Sequence, residues 1–182
     1  MVETLYGPLS SELYTAASEI RLLVCDVDGV LSDGRIYLGN NGEELKTFHT
    51  KDGFGLKAIR DIGIEVAVIT GRSSRIVADR MQSLGIEHVY QGQGDKLPAF
   101  QDLLDKLGLT AAQAAYIGDD VIDIPVIRHC ALGVAVADAH PLVRQAARLV
   151  TTLKGGEGAV REVCDLLLQA QGHLESASGA SV

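Results

Sequence analysis

The chain has 182 residues and a formal net charge of −8, with 47% hydrophobic and 22% charged residues. So acidic a balance excludes nucleic acid and anionic membranes as main partners, because both demand clustered Lys and Arg. The length suits one domain, 1–182, around one core; with no Trp and 4% aromatics, that core has to be built from Val, Ile, Leu and Ala.

The first twenty residues lack the basic-then-apolar pattern of a secretory signal. The longest apolar runs, 64–69 and 130–137, are too short to span a bilayer. RLLVCD (21–26) is nearly continuous apolar sequence, as expected of a parallel strand covered on both faces. RIYLGNNGEELKTFHT (35–50) carries Asn40-Asn41-Gly42 between two strand-like pieces, a hairpin signature that predicts a projecting flap. A helix follows over 55–63, closed by Gly63, then a strand over 64–70. Residues 73–85 read as a second helix, 87–92 as a strand, and 96–108 as a third helix. Thr110 and Gln113 have capping-box spacing ahead of strands over 115–120 and 132–138. GGEGAVREVCDLLLQAQG (155–172) reads as a glycine loop feeding a helix, and 173–182 as a frayed tail. Repeated strand–helix–strand units predict an α/β fold, a Rossmann-like three-layer sandwich with a parallel sheet.

In such a sheet, ligands bind at the carboxyl ends of the strands, so the polar residues there are the candidates for chemistry. The first strand ends in Asp26-Val27-Asp28-Gly29, whose two carboxylates start on one side of an extended chain. The second ends in Thr70-Gly71-Arg72, Lys96 precedes the third helix, and a later strand ends in Asp119-Asp120 with Asp123 beyond. A calcium loop is excluded, since its sixth and twelfth positions would be Leu31 and Tyr37 rather than Gly and Glu. Carboxylates gathered at strand ends repel unless a cation neutralises them, and oxygen ligands suit Mg²⁺. Cys25, Cys130 and Cys164 are far apart, without a CxxC pair, which predicts buried filler and a reducing cytoplasmic setting.

DVDGVLSDG, ITGR, Lys96 and GDDVID, in that order, resemble the four motifs of the haloacid dehalogenase-like phosphohydrolases. The resemblance implies a Mg²⁺-dependent phosphatase. Asp26 is then the nucleophile and Asp28 the acid and base, with Thr70 and Lys96 binding the phosphoryl oxygens. Asp26, Asp119 and the backbone carbonyl of Asp28 hold the metal, while Asp120 and Asp123 stand behind them. Residues 20–172, through RIYLGNNGEELKTFHTKDGFGLK, YQGQGDKL, AVADAHP and the GGEGAV loop, are similar to the capless phosphatases of 3-deoxy-D-manno-octulosonate 8-phosphate (KDO 8-phosphate). That family implies lipopolysaccharide biosynthesis and a homotetramer whose neighbouring subunits close each site through flaps and C-terminal segments (153–172 here). It further implies a phosphorylated sugar-acid substrate, bound by Asp28, His49, Thr50, Lys51, Asp52, Gly53, Lys57, Arg72, Arg80 and Lys96. His49 and Thr50 depart from the family's Asn-Val-like pair, and Lys51 and Lys57 stand where Arg is common. A nine-carbon sialic-acid-type phosphate is the enzymatic alternative. A phosphoreceiver module is the alternative of another class, although receivers place the phosphoacceptor after the third strand, where EHVYQG offers none. Deleting 153–182 is expected to weaken substrate handling more than folding.

Overall fold

The computed structural model describes residues 1–175; most of the expected frayed tail, 176–182, lies outside them. The strands are β1 (Val2–Thr4), β2 (Gly7–Leu9), β3 (Leu22–Cys25), β4 (Tyr37–Leu38), β5 (Glu44–Leu45), β6 (Glu65–Ile69), β7 (His88–Tyr90), β8 (Ala114–Gly118), β9 (Leu132–Ala135) and β10 (Leu149–Val150). The helices are α1 (Ser11–Glu19), α2 (Thr50–Asp61), α3 (Arg75–Ser83), α4 (Leu97–Leu107), α5 (Ile124–His129), α6 (Pro141–Ala146) and α7 (Ala159–Ala170).

Six strands form one parallel sheet in the order β10-β9-β8-β3-β6-β7. All four residues of β3, four of five in β6 and all of β8 and β9 are buried, which accounts for their lack of polar alternation. Helices flank the sheet in two groups, with α1 and α2 against α7, and α5 against α4 and α6. The chain leaves β3 toward β6 and β7 on one side and returns through β8, β9 and β10 on the other. The strand order therefore reverses at β3, and the crevice beyond its carboxyl end is where a ligand would sit.

Three features refine the expectations. Helix α2 starts at Thr50, capped by the His49 Nδ1, which accepts from Lys51 N at 3.2 Å; the hairpin proper is thus β4 and β5, paired antiparallel. A small antiparallel hairpin, β1 and β2, precedes the sandwich and is pinned to α7 where the Tyr6 hydroxyl donates to Asp165 Oδ2 at 2.9 Å. The C-terminal segment is core rather than appendage. Nine of the twelve α7 residues are buried, including Val160, Val163, Leu167 and Leu168. Its packing against α1 and α2 weighs against the expectation that deleting 153–182 would weaken substrate handling more than folding.

Candidate active site

Asp26 extends β3 by one step, its N–H donating to Ile117 O of β8 at 3.0 Å. Its Oδ1 accepts from Val27 N at 2.7 Å and lies 3.0 Å from Lys96 Nζ. Lys96, at the N-terminus of α4, is itself buried, and Asp123 Oδ1 takes a second hydrogen bond from its Nζ at 2.7 Å. Burial alone would lower the Lys96 pKa, but the two adjacent carboxylates outweigh it and raise it. The ammonium stays charged, aimed beside Asp26.

Asp119 follows β8 directly. Oxygens of Asp26, Asp119 and Asp123 lie within 4.8 Å of one another. Only the first two are free for a cation. Asp123 is fully occupied: Oδ1 accepts from Lys96 and from the Tyr116 hydroxyl at 2.6 Å, and Oδ2 accepts from the N–H groups of Asp119 and Asp120 at 3.0 and 3.1 Å. Asp123 therefore both caps the turn that carries Asp119 and steers Lys96. Asp120 caps the same turn, its Oδ1 accepting from Val121 N at 2.7 Å.

The crowding has an electrostatic cost. Burial, with Asp123 adding repulsion, pushes Asp26 up to about 6; burial, then the charges of Asp26 and Asp123, pushes Asp119 up to about 8. Two carboxylates so close hold a proton between them unless a cation replaces it. Hard oxygen donors in this arrangement fit Mg²⁺. Gly29 makes the approach possible, with φ at +85° and a would-be Cβ only 2.0 Å from Asp119 Oδ2. Gly155 is equally constrained: its Cβ would fall 1.6 Å from Gly29 O, and Gly156 N donates to Val30 O at 2.8 Å. The GGEG loop thus braces the loop that carries Asp28 within the same chain.

Asp26, Asp28, Thr70, Arg72, Lys96, Asp119 and Asp120 share one crevice with Gly34, Gly71 and Ile122. The α2 candidates are elsewhere. Thr50 and Lys51 are exposed on its first turn, Lys57 is half-buried, and Gly53 is buried. Arg80 on α3 lies 6.0 Å over the Phe48 ring. Asp52 is 1% exposed and faces α7, accepting from Arg161 N at 2.9 Å. Two functional candidates escaped the sequence reading: Tyr116, which holds Asp123, and Lys46, whose Nζ lies 2.6 Å from Asp28 Oδ1. A Tyr inside an apolar strand needs a partner for its hydroxyl, and that was the available signal for Tyr116.

Burial raises Asp52 from 3.8 to about 6, against the lowering effect of the Arg161 N–H, His49 and the Gly158 N–H. Its folded pKa exceeds its unfolded one, so its contribution to stability is present below about pH 4 and lost as pH rises through about 6. Asp52→Asn is therefore expected to gain stability relative to the parent on going from pH 4 to pH 7, by on the order of 2–3 kcal/mol. Denaturant melts of both proteins across that range measure it. A stability difference that does not change with pH would refute the assignment.

A family model described as haloacid dehalogenase-like hydrolase matches residues 85–163. The chain is 58% identical to a 3-deoxy-D-manno-octulosonate 8-phosphate phosphatase of Salmonella typhi, over 98% of this chain and 95% of that one. A crystal structure of the phosphatase of that name from Yersinia pestis superimposes with a TM-score of 0.97 at 55% identity, covering 100% of this chain and 98% of the other. Another, from Moraxella catarrhalis, solved in complex with magnesium, phosphate and KDO, has a TM-score of 0.90 at 45% identity, covering 92% and 97%.

Proposed function

The chain belongs to the haloacid dehalogenase-like hydrolases, in the family of 3-deoxy-D-manno-octulosonate 8-phosphate phosphatases, and on that premise we propose that it hydrolyses KDO 8-phosphate to KDO and inorganic phosphate. The observation that carries the reading is the Asp26 carboxylate at the reversal point of the sheet, flanked by Lys96 at 3.0 Å and by Asp119.

Asp26 attacks phosphorus through a carboxylate oxygen. The bond to the sugar C8 oxygen breaks, and Asp28 gives that alkoxide its proton. Water then attacks the aspartyl phosphate, giving its proton to Asp28, and phosphate leaves with Asp26 restored. Lys96 and the Thr70 hydroxyl stabilise the charge spread over the equatorial phosphoryl oxygens. Asp123, held by Tyr116, accepts a second hydrogen bond from the Lys96 ammonium and so fixes it beside Asp26. Asp26, Asp119 and the backbone carbonyl of Asp28 would hold Mg²⁺, which when bound neutralises the paired carboxylates and polarises the phosphate. Arg72, half-exposed at the crevice rim, suits the substrate's carboxylate.

His49, Thr50, Lys51, Asp52, Gly53, Lys57 and Arg80 do not line the crevice of their own chain. We read the exposed ones as contacts made across a subunit boundary in a homotetramer. The flap supports this, because Tyr37, Leu38 and Leu45 expose 49%, 76% and 63% of their surface, an apolar patch suited to a second copy. No helix among the described residues is long and apolar enough to cross a membrane. Burial raises the pKa of all three cysteine thiols, consistent with filler roles and with our placing the enzyme in the cytoplasm, in lipopolysaccharide biosynthesis.

A panel of sugar phosphates assayed for phosphate release with added Mg²⁺ tests the reading. The expected order of kcat/KM puts KDO 8-phosphate ahead of a nine-carbon sialic-acid-type 9-phosphate by at least about tenfold. Preference for the nine-carbon ester would overturn the substrate, and activity unchanged by a chelator would overturn the metal.

A further inference from the structure

The returning arm of the flap carries Glu44 and Lys46, two residues apart and therefore on one side of an extended chain. Between them Leu45 points away and is exposed. Lys46 is unusual for a hairpin residue in that none of its side chain is exposed. A lysine stem is long enough to carry its charge back to water, and normally does so. Here the ammonium lies 2.6 Å from Asp28 Oδ1 and 3.6 Å from Glu44 Oε1, while Arg72 Nη2 stands 3.8 Å from that same Glu44 oxygen. Glu44 Oε1 is buried and accepts no hydrogen bond; it is held only as a charge between two cations. The sequence of charges runs Asp28, Lys46, Glu44, Arg72, from the centre of the crevice to its rim. Burying an ammonium costs several kcal/mol unless partners compensate, and the chief partner here is Asp28.

We propose that Lys46 is a positioning residue for the reaction, fixing the Asp28 carboxyl group through one oxygen so that the other, which carries the proton to be given, faces the ester oxygen that leaves phosphorus. This rests on the proton-transfer role of Asp28 proposed above. Asp28 remains 21% exposed, open to a substrate from the crevice side, while Lys46 approaches from the flap side. A carboxylate on a loop has two free torsions. Tying one oxygen removes most of that freedom before substrate arrives, and orientation of this kind is a recognised source of rate. The same contact joins the flap to the crevice, so substrate handling and flap position become linked.

A pin that merely holds the flap would behave differently. Losing it would slow every phosphate ester alike and would act independently of Asp28. The test is a double-mutant cycle with Asp28→Asn and Lys46→Met, read as kcat and KM on the sugar phosphate and on an activated aryl phosphate. The aryl ester leaves without help from an acid. With positioning, Lys46→Met is expected to lower kcat at least about tenfold on the sugar phosphate and less than about threefold on the aryl ester. In the Asp28→Asn background it is expected to change kcat on the sugar phosphate by less than about threefold. Lys46→Arg, which keeps the charge, is expected to recover part of the loss, and a second neutral variant, Lys46→Gln, to repeat the Met result. Melting temperatures establish that the variants are folded. Equal losses on both esters, or losses that multiply with Asp28→Asn, overturn the role of Lys46 while leaving Asp28 in place. If Asp28→Asn itself slows both esters equally, the proton-transfer role falls and the inference falls with it.

Discussion

Asp26→Asn is expected to abolish turnover, lowering kcat by at least about 10⁴-fold, because an amide oxygen cannot form the aspartyl phosphate. The same change leaves the fold intact. Asn keeps an Oδ1 that can accept from Val27 N, as Asp26 does at 2.7 Å, and can still meet Lys96 Nζ. It also removes one of two carboxylates whose closeness raises both pKa values. A group whose pKa is raised from 3.8 to about 6 by folding stabilises the fold below about pH 4 and has lost that contribution once pH passes about 6. In chelator at pH 8 the variant is therefore expected to melt at or above the parent temperature while releasing no phosphate. Paired assays of phosphate release and thermal unfolding check both halves. Turnover above about 1% of the parent would mean that another group attacks phosphorus, and a lower melting temperature would mean that the carboxylate pair supports the fold.

Removing residues 154–182 is expected to leave a chain that does not fold. Val160, Val163, Cys164, Leu166, Leu167 and Leu168 of α7 are each at most 6% exposed. At about 1.5–3 kcal/mol for each large apolar side chain buried, the helix contributes on the order of 10 kcal/mol, comparable with the whole stability of a typical domain. Its removal would also bare the faces of α1 and α2 that pack on it. Circular dichroism and denaturant titration of the shortened protein would detect the loss as the absence of a cooperative transition. A cooperative melt close to that of the full chain would show that α7 is dispensable.

The parts of this molecule that were legible in the sequence are those governed by local pattern. The runs at 21–26, 64–70 and 115–120 read as covered parallel strands because their interiors are almost continuously apolar, Glu65 being the exception, and polar residues begin where those strands end. That coincidence placed Asp26, Thr70 and Asp119 at one edge of the sheet. Lys96 stood out by its position ahead of the third helix, but its place beside Asp26 was legible only through the resemblance, since nothing local says that a helix N-terminus will turn its cation inward. The start of α2 was missed because Gly53 and Gly55 argue against a helix by propensity. Their use is tertiary: a Cβ at Gly55 would lie 2.9 Å from the Cys164 Cβ of α7, so the glycine is there for close packing of two helices. Lys46 was missed for a related reason. Asn40-Asn41-Gly42 predicts that the chain turns back but not which face of the hairpin meets the crevice, and its partner Asp28 is eighteen residues away. Asp52 entered only through the resemblance, as a substrate contact; no local pattern says that its carboxylate accepts from Arg161 N in the first turn of the neighbouring helix α7.

The position of β3 in the sheet has a consequence for biosynthesis. It is the first strand of the sheet to leave the ribosome, yet it lies between β6 and β8, with Leu22 matched to Glu65 on one side and to Ala114 on the other. One flank of the most apolar strand therefore stays naked until nearly two thirds of the polypeptide has been translated. Pairings this distant form slowly and leave adhesive edges open meanwhile. Nascent chains stalled before residue 114 should accordingly be clients of holding chaperones, with the acidic surface charge as their other protection against clumping.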